Sequence, residues 1–448
     1  AGFIVFGGEL NTVRQGISEL QKEADGCLII ASDLEQGLGQ HIEGGTIFPP
    51  AMAVAKAIKE APKSTVHSQK LKLLRRVFKA IAIEARYAGI NTIFAPVLDI
   101  NTNPKNPIIS TRAFGEDPES VSFFGCEMIK TFQSHGITAC GKHFPGHGDT
   151  ETDSHIKLPK IKKDLKTLSR TEFAPFRNAV KAGVKMIMLG HLNVPALDLS
   201  GIPASLSKKA VSYLRKNLGF KGIIITDAMN MGGIGRYSEE EASLMALNAG
   251  VDILLHPTDP DKVVSYLGRK VLGVRCQVSG TQLWRKKKAA LSITDFERNR
   301  RLAEKITKMA IKIDGQLNPL RNPLLIIISD DTNEKGKTLY AELKSRYRSL
   351  KYLHFKHGED LKLGGVLRGR ELIVAVFSGI RAWKGGPSPW LLKCIRDLKE
   401  KAEIFISFGS PYLIDRVGND TARIYAYWAS EAAQKTVAEI LFNFNKVR

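Results

Sequence analysis

The chain has 448 residues, of which 43% are hydrophobic and 25% charged, and this balance is typical of a folded globular protein with a well-buried core. No apolar run reaches the roughly 18–20 residues that a membrane-spanning helix needs. The net charge is +21, but the basic residues are spread along the chain and are not interleaved with aromatic residues, which argues against single-stranded nucleic acid as a partner.

Short β-rich runs alternate with amphipathic helical stretches in the first part of the chain. We predict seven strands, at residues 3–6, 27–31, 92–96, 137–141, 185–189, 222–225 and 252–255. Strands that alternate with helices indicate a parallel sheet. A closed (β/α)8 barrel has eight such strands. The sequence therefore predicts an α/β fold with a TIM-like barrel that is one strand short.

Polar side chains follow six of the seven predicted strands. They are Asp33, Asp99, Lys142 with His143, His191, Asp227 and His256. Active sites of such barrels lie at the carboxyl ends of the strands. We therefore expect one face of the barrel to collect these groups.

A helical, charge-mixed stretch and two Asn-Pro pairs, at 318–319 and 322–323, follow the predicted barrel and indicate a linker. Five further β-rich runs alternate with helices after it, at residues 324–329, 352–355, 372–377, 404–408 and 424–427. This pattern predicts a smaller α/β domain. We predict a barrel domain at 1–317, with a helical linker over about 258–317, and a C-terminal α/β sandwich domain at 318–448.

The segment 142–155 concentrates ionisable side chains, and its glycines and proline favour a shaped loop. One interpretation is a solvated surface loop. A second is a metal site built from His143, His147, Asp149 and His155, although these residues lack the helical spacing of zinc motifs. A third is an acid/base loop in which Asp153 orients His155 and stabilises its protonated form, as a general acid requires.

Asp227 follows a run of isoleucines that is typical of a strand buried on both faces. A carboxylate there lies at the mouth of the predicted barrel, where it can attack an anomeric carbon and form a covalent glycosyl-enzyme. The alternative is that Asp227 caps the helix that follows.

Three segments carry a family resemblance: KHFPGHGDTETDSHIKLP (142–159), LGFKGIIITDAMNMGGI (218–234) and STRAFGEDP (110–118). They resemble the β-N-acetylglucosaminidases of glycoside hydrolase family 3, and the GHGDT…DSH loop is typical of that branch rather than of its β-glucosidase relatives. The C-terminal stretch from ISFGSPYLID to AEILF is similar to the α/β sandwich domain that some members carry. The resemblance covers the chain from its first residue to its last.

The resemblance implies a retaining mechanism without metal or cofactor. Asp227 is then the nucleophile, and His155, coupled to Asp153, is the acid/base. The residues expected to bind the sugar are Asp33, Arg112, Lys142, His143, His191 and Met231.

The chain departs from the family pattern in two places. Where members read DxEGGRVxR, residues 33–41 keep Asp33 but place Leu38 and His41 at the two arginine positions. The first barrel strand and the helix before it are also missing, which agrees with the count of seven.

The resemblance implies hydrolysis of terminal β-linked N-acetylglucosamine (GlcNAc) from peptidoglycan-derived fragments. The alternatives are a β-glucosidase or broad β-hexosaminidase of the same family, and a non-catalytic protein that binds cell-wall sugars. We expect a carbohydrate partner, no nucleic acid and no membrane span, and the oligomeric state stays open. Localisation also stays open, because the apolar stretch 2–7 lacks the preceding charged region of a signal peptide. Two-domain members of the family are often exported, which favours the cell envelope over the cytoplasm.

Overall fold

A computed structural model describes residues 2–61, 66–270, 293–331, 334–380, 382–415, 417 and 421–446. The chain forms two compact units, one of residues 1–51 and 66–303 and one of residues 52–65 and 304–448. The limits predicted from the sequence, 1–317 and 318–448, stay a prediction. Residues 271–292 of the predicted helical linker lie outside the described part of the chain.

The first unit contains a sheet of seven parallel strands, each hydrogen-bonded to the next one in chain order. The strands are β1 (Gly2–Ile4), β2 (Ile29–Ser32), β3 (Thr92–Ile93), β4 (Thr138–Phe144), β5 (Met186–Leu189), β6 (Ile223–Ala228) and β7 (Ile253–Leu255). The helices in this part of the chain are α1 (Leu10–Glu23), α2 (Ala51–Lys59), α3 (His67–Tyr87), α4 (Pro118–Ser134), α5 (Leu165–Arg170), α6 (Phe173–Lys181), α7 (Lys208–Ser212), α8 (Glu239–Ala249) and α9 (Pro260–Lys270). The predicted parallel sheet and its seven strands are confirmed.

The seven-stranded sheet is curled. Strands in a sheet lie about 4.8 Å apart, so the two edge strands of a flat sheet would be roughly 29 Å apart. Instead, the rings of Phe6, after β1, and His256, after β7, have centroids only 5.3 Å apart. Side chains from the first strand to the last, such as Ile4, Met188 and Leu255, also share one apolar cluster. The sheet therefore forms an incomplete TIM-like barrel, as the sequence predicts.

Local sequence signals fix where the helices of this unit begin and end. Asp117 caps α4 by accepting a hydrogen bond from the backbone N–H of Ser120, with Pro118 at the first helical position. Ser238 and Glu241 form a reciprocal capping box at the start of α8, and Gly250 ends that helix in the left-handed conformation. These caps set the lengths of the loops that lead into and out of the strands.

The second unit contains a six-stranded sheet with the order β10-β9-β11-β12-β13-β8. Its strands are β8 (Lys312–Asp314), β9 (Pro323–Ser329), β10 (Lys351–Lys356), β11 (Glu371–Phe377), β12 (Ile404–Ser407) and β13 (Ala422–Tyr425), and the helices of this part of the chain are α10 (Ile293–Ala310), α11 (Lys337–Arg346), α12 (Pro389–Leu398) and α13 (Glu431–Lys446). Five strands are parallel and match the prediction. The short strand β8, which pairs with β13 in the antiparallel direction, was not predicted.

None of the helices in the described part of the chain is long and apolar enough to cross a membrane.

Candidate active site

The carboxyl ends of β2, β4 and β6 bring polar side chains to one rim of the barrel, because neighbouring parallel strands end at the same edge. Asp33 directly follows β2, Lys142 and His143 lie near the end of β4, and Asp227 is the fifth residue of β6. His191 comes two residues after the end of β5.

An ion-pair cluster joins three of the residues that the sequence predicted for sugar binding. Lys142 Nζ lies 2.6 Å from Asp33 Oδ1 and 2.8 Å from Glu35 Oε1. Arg112 donates to both oxygens of Glu35, at 2.9 and 2.8 Å, and to the carbonyl oxygen of Ile108 at 2.9 Å. Glu35 therefore bridges the two cations.

The charges in this cluster stabilise one another against burial. Burial alone would raise the pKa of Glu35, but Arg112 and Lys142 outweigh it and hold that pKa well below its usual range. Burial acts against the charged form of Lys142, whose side chain is 2% exposed, yet Asp33 and Glu35 keep its pKa above the usual value. Glu35, Arg112 and Lys142 are therefore charged at neutral pH.

Asp99, after β3, organises the start of the 142–155 loop. Its carboxylate accepts hydrogen bonds from the ring Nδ1 of His143 at 2.7 Å and from the backbone N–H of His147 at 2.7 Å. Burial would raise the pKa of Asp99, but the two histidines outweigh that effect and lower it. Because a carboxylate only accepts, the proton of the His143 ring lies on Nδ1.

The far end of the same loop holds Asp153 and His155 together. Asp153 Oδ1 accepts from the backbone N–H of His155 at 2.9 Å and from its Nδ1 at 2.7 Å. Asp153 is buried, whereas the side chain of His155 is 22% exposed. Nε2 is therefore the ring nitrogen that can gain or lose a proton toward a bound molecule.

Asp227 lies in the electrostatic field of several imidazoles. Burial would raise its pKa, but His143, His191, the backbone N–H of Ala228 and His155 together lower it. The hydrogen bond from Ala228 N to Asp227 Oδ1 is 2.9 Å long. His191 is held beside it by contacts to Ser205 Oγ at 2.6 Å and to the carbonyl oxygen of Ala228 at 3.0 Å. The structure thus brings His155 to the same rim as Asp227.

A turn after β6 packs against the His155 segment, and it requires glycine. Gly232 N donates to the carbonyl oxygen of His155 at 3.0 Å, and a Cβ on Gly232 would lie 2.3 Å from the carbonyl oxygen of Ile156. A Cβ on Gly233 would lie 2.7 Å from the carbonyl oxygen of Ser154. Met231, which begins this turn, is buried. The turn therefore couples the Asp227 strand to the His155 loop.

Three further residues of the site, Glu35, Asp99 and His147, were not predicted to act in catalysis or sugar binding. Glu35 contacts Lys142, Asp99 contacts His143, and His147 contacts Asp99. From the sequence, Asp99 was expected only among the polar groups of the barrel face and His147 only in the alternative metal site. His256, although it follows β7, packs its ring against Phe6 instead. His41, at an arginine position of the family pattern, also has its ring against Phe6.

The residues of the alternative metal site each have other partners. His143 pairs with Asp99, His155 with Asp153, and Asp149 lies 3.2 Å from Lys163. In the part of the chain that the structure describes, no group of three or more His, Cys, Asp or Glu side chains could hold a metal ion.

Comparisons with known proteins point to one family. Residues 7–277 match the family described as "Glycosyl hydrolase family 3 N terminal domain". "Beta-hexosaminidase A" of Pseudoalteromonas piscicida is 37% identical over 245 residues, or 51% of this chain and 40% of that protein. "Beta-N-acetylglucosaminidase/beta-glucosidase" of Cellulomonas fimi is 32% identical over 262 residues, or 56% of this chain and 44% of that protein. The chain thus spans less than half the length of these two relatives.

The solved structures extend the similarity to the whole chain. A glycoside hydrolase family 3 β-N-acetylglucosaminidase from Paenibacillus sp. str. FPU-7 matches with a TM-score of 0.82 and 28% identity, over 99% of this chain and 91% of that one. The fold is therefore that of a TIM-like barrel unit and an α/β sandwich unit, as expected. Since the family description covers more than half of the sequence, the chain belongs to glycosyl hydrolase family 3.

Proposed function

We propose that the protein is a retaining β-N-acetylglucosaminidase that removes terminal β-linked GlcNAc from peptidoglycan-derived fragments. The observation that carries this proposal is the contact between the turn after Asp227 and the His155 segment, where Gly232 N donates to the carbonyl oxygen of His155 at 3.0 Å while Asp153 binds the His155 ring at 2.7 Å. The names of the relatives from Pseudoalteromonas and Paenibacillus support the choice of sugar.

Asp227 is the nucleophile of the proposed reaction. Its lowered pKa keeps it ionised at neutral pH, so a lone pair is available to attack the anomeric carbon. The bond from the anomeric carbon to the glycosidic oxygen breaks as the bond to Asp227 forms. Water then attacks the same carbon as the bond to the Asp227 oxygen breaks, which frees the carboxylate, and the product keeps the configuration of the substrate.

His155 is the acid/base of both steps. It donates its Nε2 proton to the departing oxygen, and in the second step it takes a proton from the attacking water. The bond from Nδ1 to Asp153 stabilises the imidazolium and fixes the ring orientation. Asp153 is buried and acts only through His155.

The remaining predicted residues bind the sugar. Glu35 holds Arg112, Lys142 pairs with Asp33, and Asp99 fixes the ring of His143. In the proposal, these four residues hold the hydroxyl and acetamido groups. His191 and Met231 complete this subsite. Glu35 keeps Lys142 and Arg112 in place and acts through them.

A β-glucosidase or broad β-hexosaminidase is the second candidate. It is favoured by the name of the Cellulomonas relative, which includes both activities. A sugar-binding protein without catalysis is the third.

The decisive experiment compares chromogenic β-GlcNAc and β-glucoside substrates and then traps the intermediate. A slowly reacting fluorinated GlcNAc donor is expected to label Asp227, which peptide mass spectrometry would locate. Asp227→Asn should abolish labelling and lower the hydrolysis rate by at least about 1,000-fold. Asp252→Asn, at the opposite end of the neighbouring strand β7, is the matched control and should keep both.

Three results would overturn the proposal. Preference for the β-glucoside would select the second candidate. Hydrolysis by Asp227→Asn at the normal rate, or label on another residue, would remove the assigned nucleophile. Binding of GlcNAc oligosaccharides without turnover would select the third candidate.

A further inference from the structure

We propose that His147 is a positioning residue whose ring holds Ser154, and through it the Asp153–His155 pair, in place for proton transfer. This inference rests on the proposed role of His155. The notable feature is that His147 makes contacts to both halves of the loop and to the barrel.

The ring of His147 bridges the loop internally. Its Nδ1 lies 2.8 Å from Thr150 Oγ1, and its Nε2 lies 2.9 Å from Ser154 Oγ. All three residues are at most 2% exposed, so water does not readily replace a contact that is lost. The ring thus sets the distance between the beginning and the end of the loop.

The backbone of His147 is fixed to the barrel wall. Its N–H donates to Asp99 Oδ1 at 2.7 Å, and its carbonyl oxygen accepts from Asn106 Nδ2 at 2.8 Å. Asp99 and Asn106 lie in the segment that follows β3, and Asp99 also binds the ring of His143. His147 therefore links the wall of the barrel to Ser154.

Ser154 lies between the two members of the acid/base pair in the sequence. Asp153 binds both the backbone N–H and the ring of His155. A shift of Ser154 therefore moves Asp153 and His155 together. A misplacement of about 1 Å lowers a rate by roughly 100-fold when a catalytic group must meet the substrate.

The protonation state of His147 suits this role. Burial lowers its pKa to about 4, and the nearby Asp99 only partly opposes that effect. The ring is therefore neutral near pH 7, where it donates at one nitrogen and accepts at the other. A hydroxyl group can supply the complementary role at each end.

Two conservative variants separate the two ring contacts. His147→Gln places an amide near the position of Nε2 and can keep the contact to Ser154. His147→Asn places an amide near the position of Nδ1 and keeps only the contact to Thr150. Far-ultraviolet circular dichroism and the melting temperature would verify that each variant folds.

The kinetic readout is kcat/KM for β-GlcNAc substrates with leaving groups that differ in their need for a proton. A phenyl group needs protonation to depart, whereas a 2,4-dinitrophenyl group does not. We expect His147→Asn to lower kcat/KM by about 10–100-fold for the phenyl substrate and by less than about 3-fold for the dinitrophenyl substrate. His147→Gln should stay within about 5-fold of the wild type for both substrates.

A double-mutant cycle tests the route through Ser154. Ser154→Ala should reproduce the effect of His147→Asn, and the combined variant should lose no more than either single variant. Asp149→Asn, which changes the loop's bond to Lys163 but not the His147 ring contacts, is the matched control and should show no dependence on the leaving group.

The same substrates distinguish failure of this inference from failure of the proposed function. His155→Ala must show the strong dependence on the leaving group; if it does not, His155 is not the acid and both proposals fall. If His155→Ala shows it and His147→Asn loses activity equally on both substrates, His147 only stabilises the fold and the inference alone is wrong. Additive effects of His147→Asn and Ser154→Ala would likewise overturn it.

Discussion

The substitution Glu35→Gln tests whether Glu35 is what keeps a buried lysine, Lys142, and a partly buried arginine, Arg112, in the rim of the barrel. Its carboxylate accepts two hydrogen bonds from Arg112 and one from Lys142, all between 2.8 and 2.9 Å. Glutamine has a similar shape, but it has a single acceptor oxygen and turns an N–H group toward one of the cations. Breaking a buried ion pair by neutralising one partner typically destabilises a protein by about 3–5 kcal/mol.

The effect should be measured on the barrel itself. Three of the four tryptophans, at positions 383, 390 and 428, lie in the second unit, so their fluorescence does not report on the barrel. Hydrogen exchange followed by mass spectrometry gives the opening free energy of peptides from β4. Peptides from β9 in the same sample serve as the internal reference. We expect the opening free energy of the β4 peptides to fall by about 3–5 kcal/mol and that of the β9 peptides to stay unchanged.

A surface pair provides the matched control for this measurement. Glu151 lies 3.7 Å from Lys105 with more than half of each side chain exposed, so Glu151→Gln should change the opening free energy by less than about 1 kcal/mol. If Glu35→Gln lowered the opening free energy of the β4 peptides no more than Glu151→Gln does, other groups would stabilise the cations. The role assigned to Glu35 would then be wrong.

Three further predictions concern stability, packing and reactivity. Folding lowers the pKa of His147 from 6.5 to about 4, so its stabilising contribution is complete above pH 6.5 and is lost as pH falls toward 4. The free energy of unfolding should fall by about 3 kcal/mol over this window. His147→Gln should therefore flatten the measured dependence of the melting temperature on pH there. Gly232→Ala should lower kcat/KM by at least about 10-fold because its Cβ meets the His155 loop, whereas Gly268→Ala, in open space on α9, should leave activity unchanged. Cys27 is exposed, whereas Cys140 is buried and its thiol pKa is raised by that burial. Iodoacetamide should therefore alkylate Cys27 in the native protein and Cys140 only after unfolding, and peptide mapping would show which thiols are modified.

The barrel strands could be predicted because their sequences leave few alternatives. Strand β6 begins with three isoleucines, which is typical of a strand that buries both faces. Strand β8 has only the residues Lys-Ile-Asp, and its single apolar side chain gives no periodicity to detect. Its position depends on pairing with β13, more than a hundred residues later, which no local pattern encodes.

The residues of the site were easier to find than their partners. Asp227 and His155 stand in distinctive local contexts, one after a buried strand and one in a loop rich in histidine. The role of Glu35 depends on contacts to Arg112, 77 residues away, and to Lys142, and only the curled sheet brings these groups together. The strength of an ion pair depends on the distance between the charged groups in space. The sequence therefore shows the charges of Glu35, Arg112 and Lys142 but not which of them pair.

An imidazole acid beside a carboxylate nucleophile has an electrostatic consequence that a second carboxylic acid would not have. Two carboxylates that share a site raise the pKa of one of them, because the two negative charges repel. Here His143, His191 and His155 instead lower the pKa of Asp227, while the carboxylates of Asp99 and Asp153 bind histidine rings. The carboxylates of Asp99 and Asp153 are thus paired with histidine rings. In the proposed mechanism, the proton that His155 carries before it donates makes its ring positive, and this charge favours the ionised form of the nucleophile.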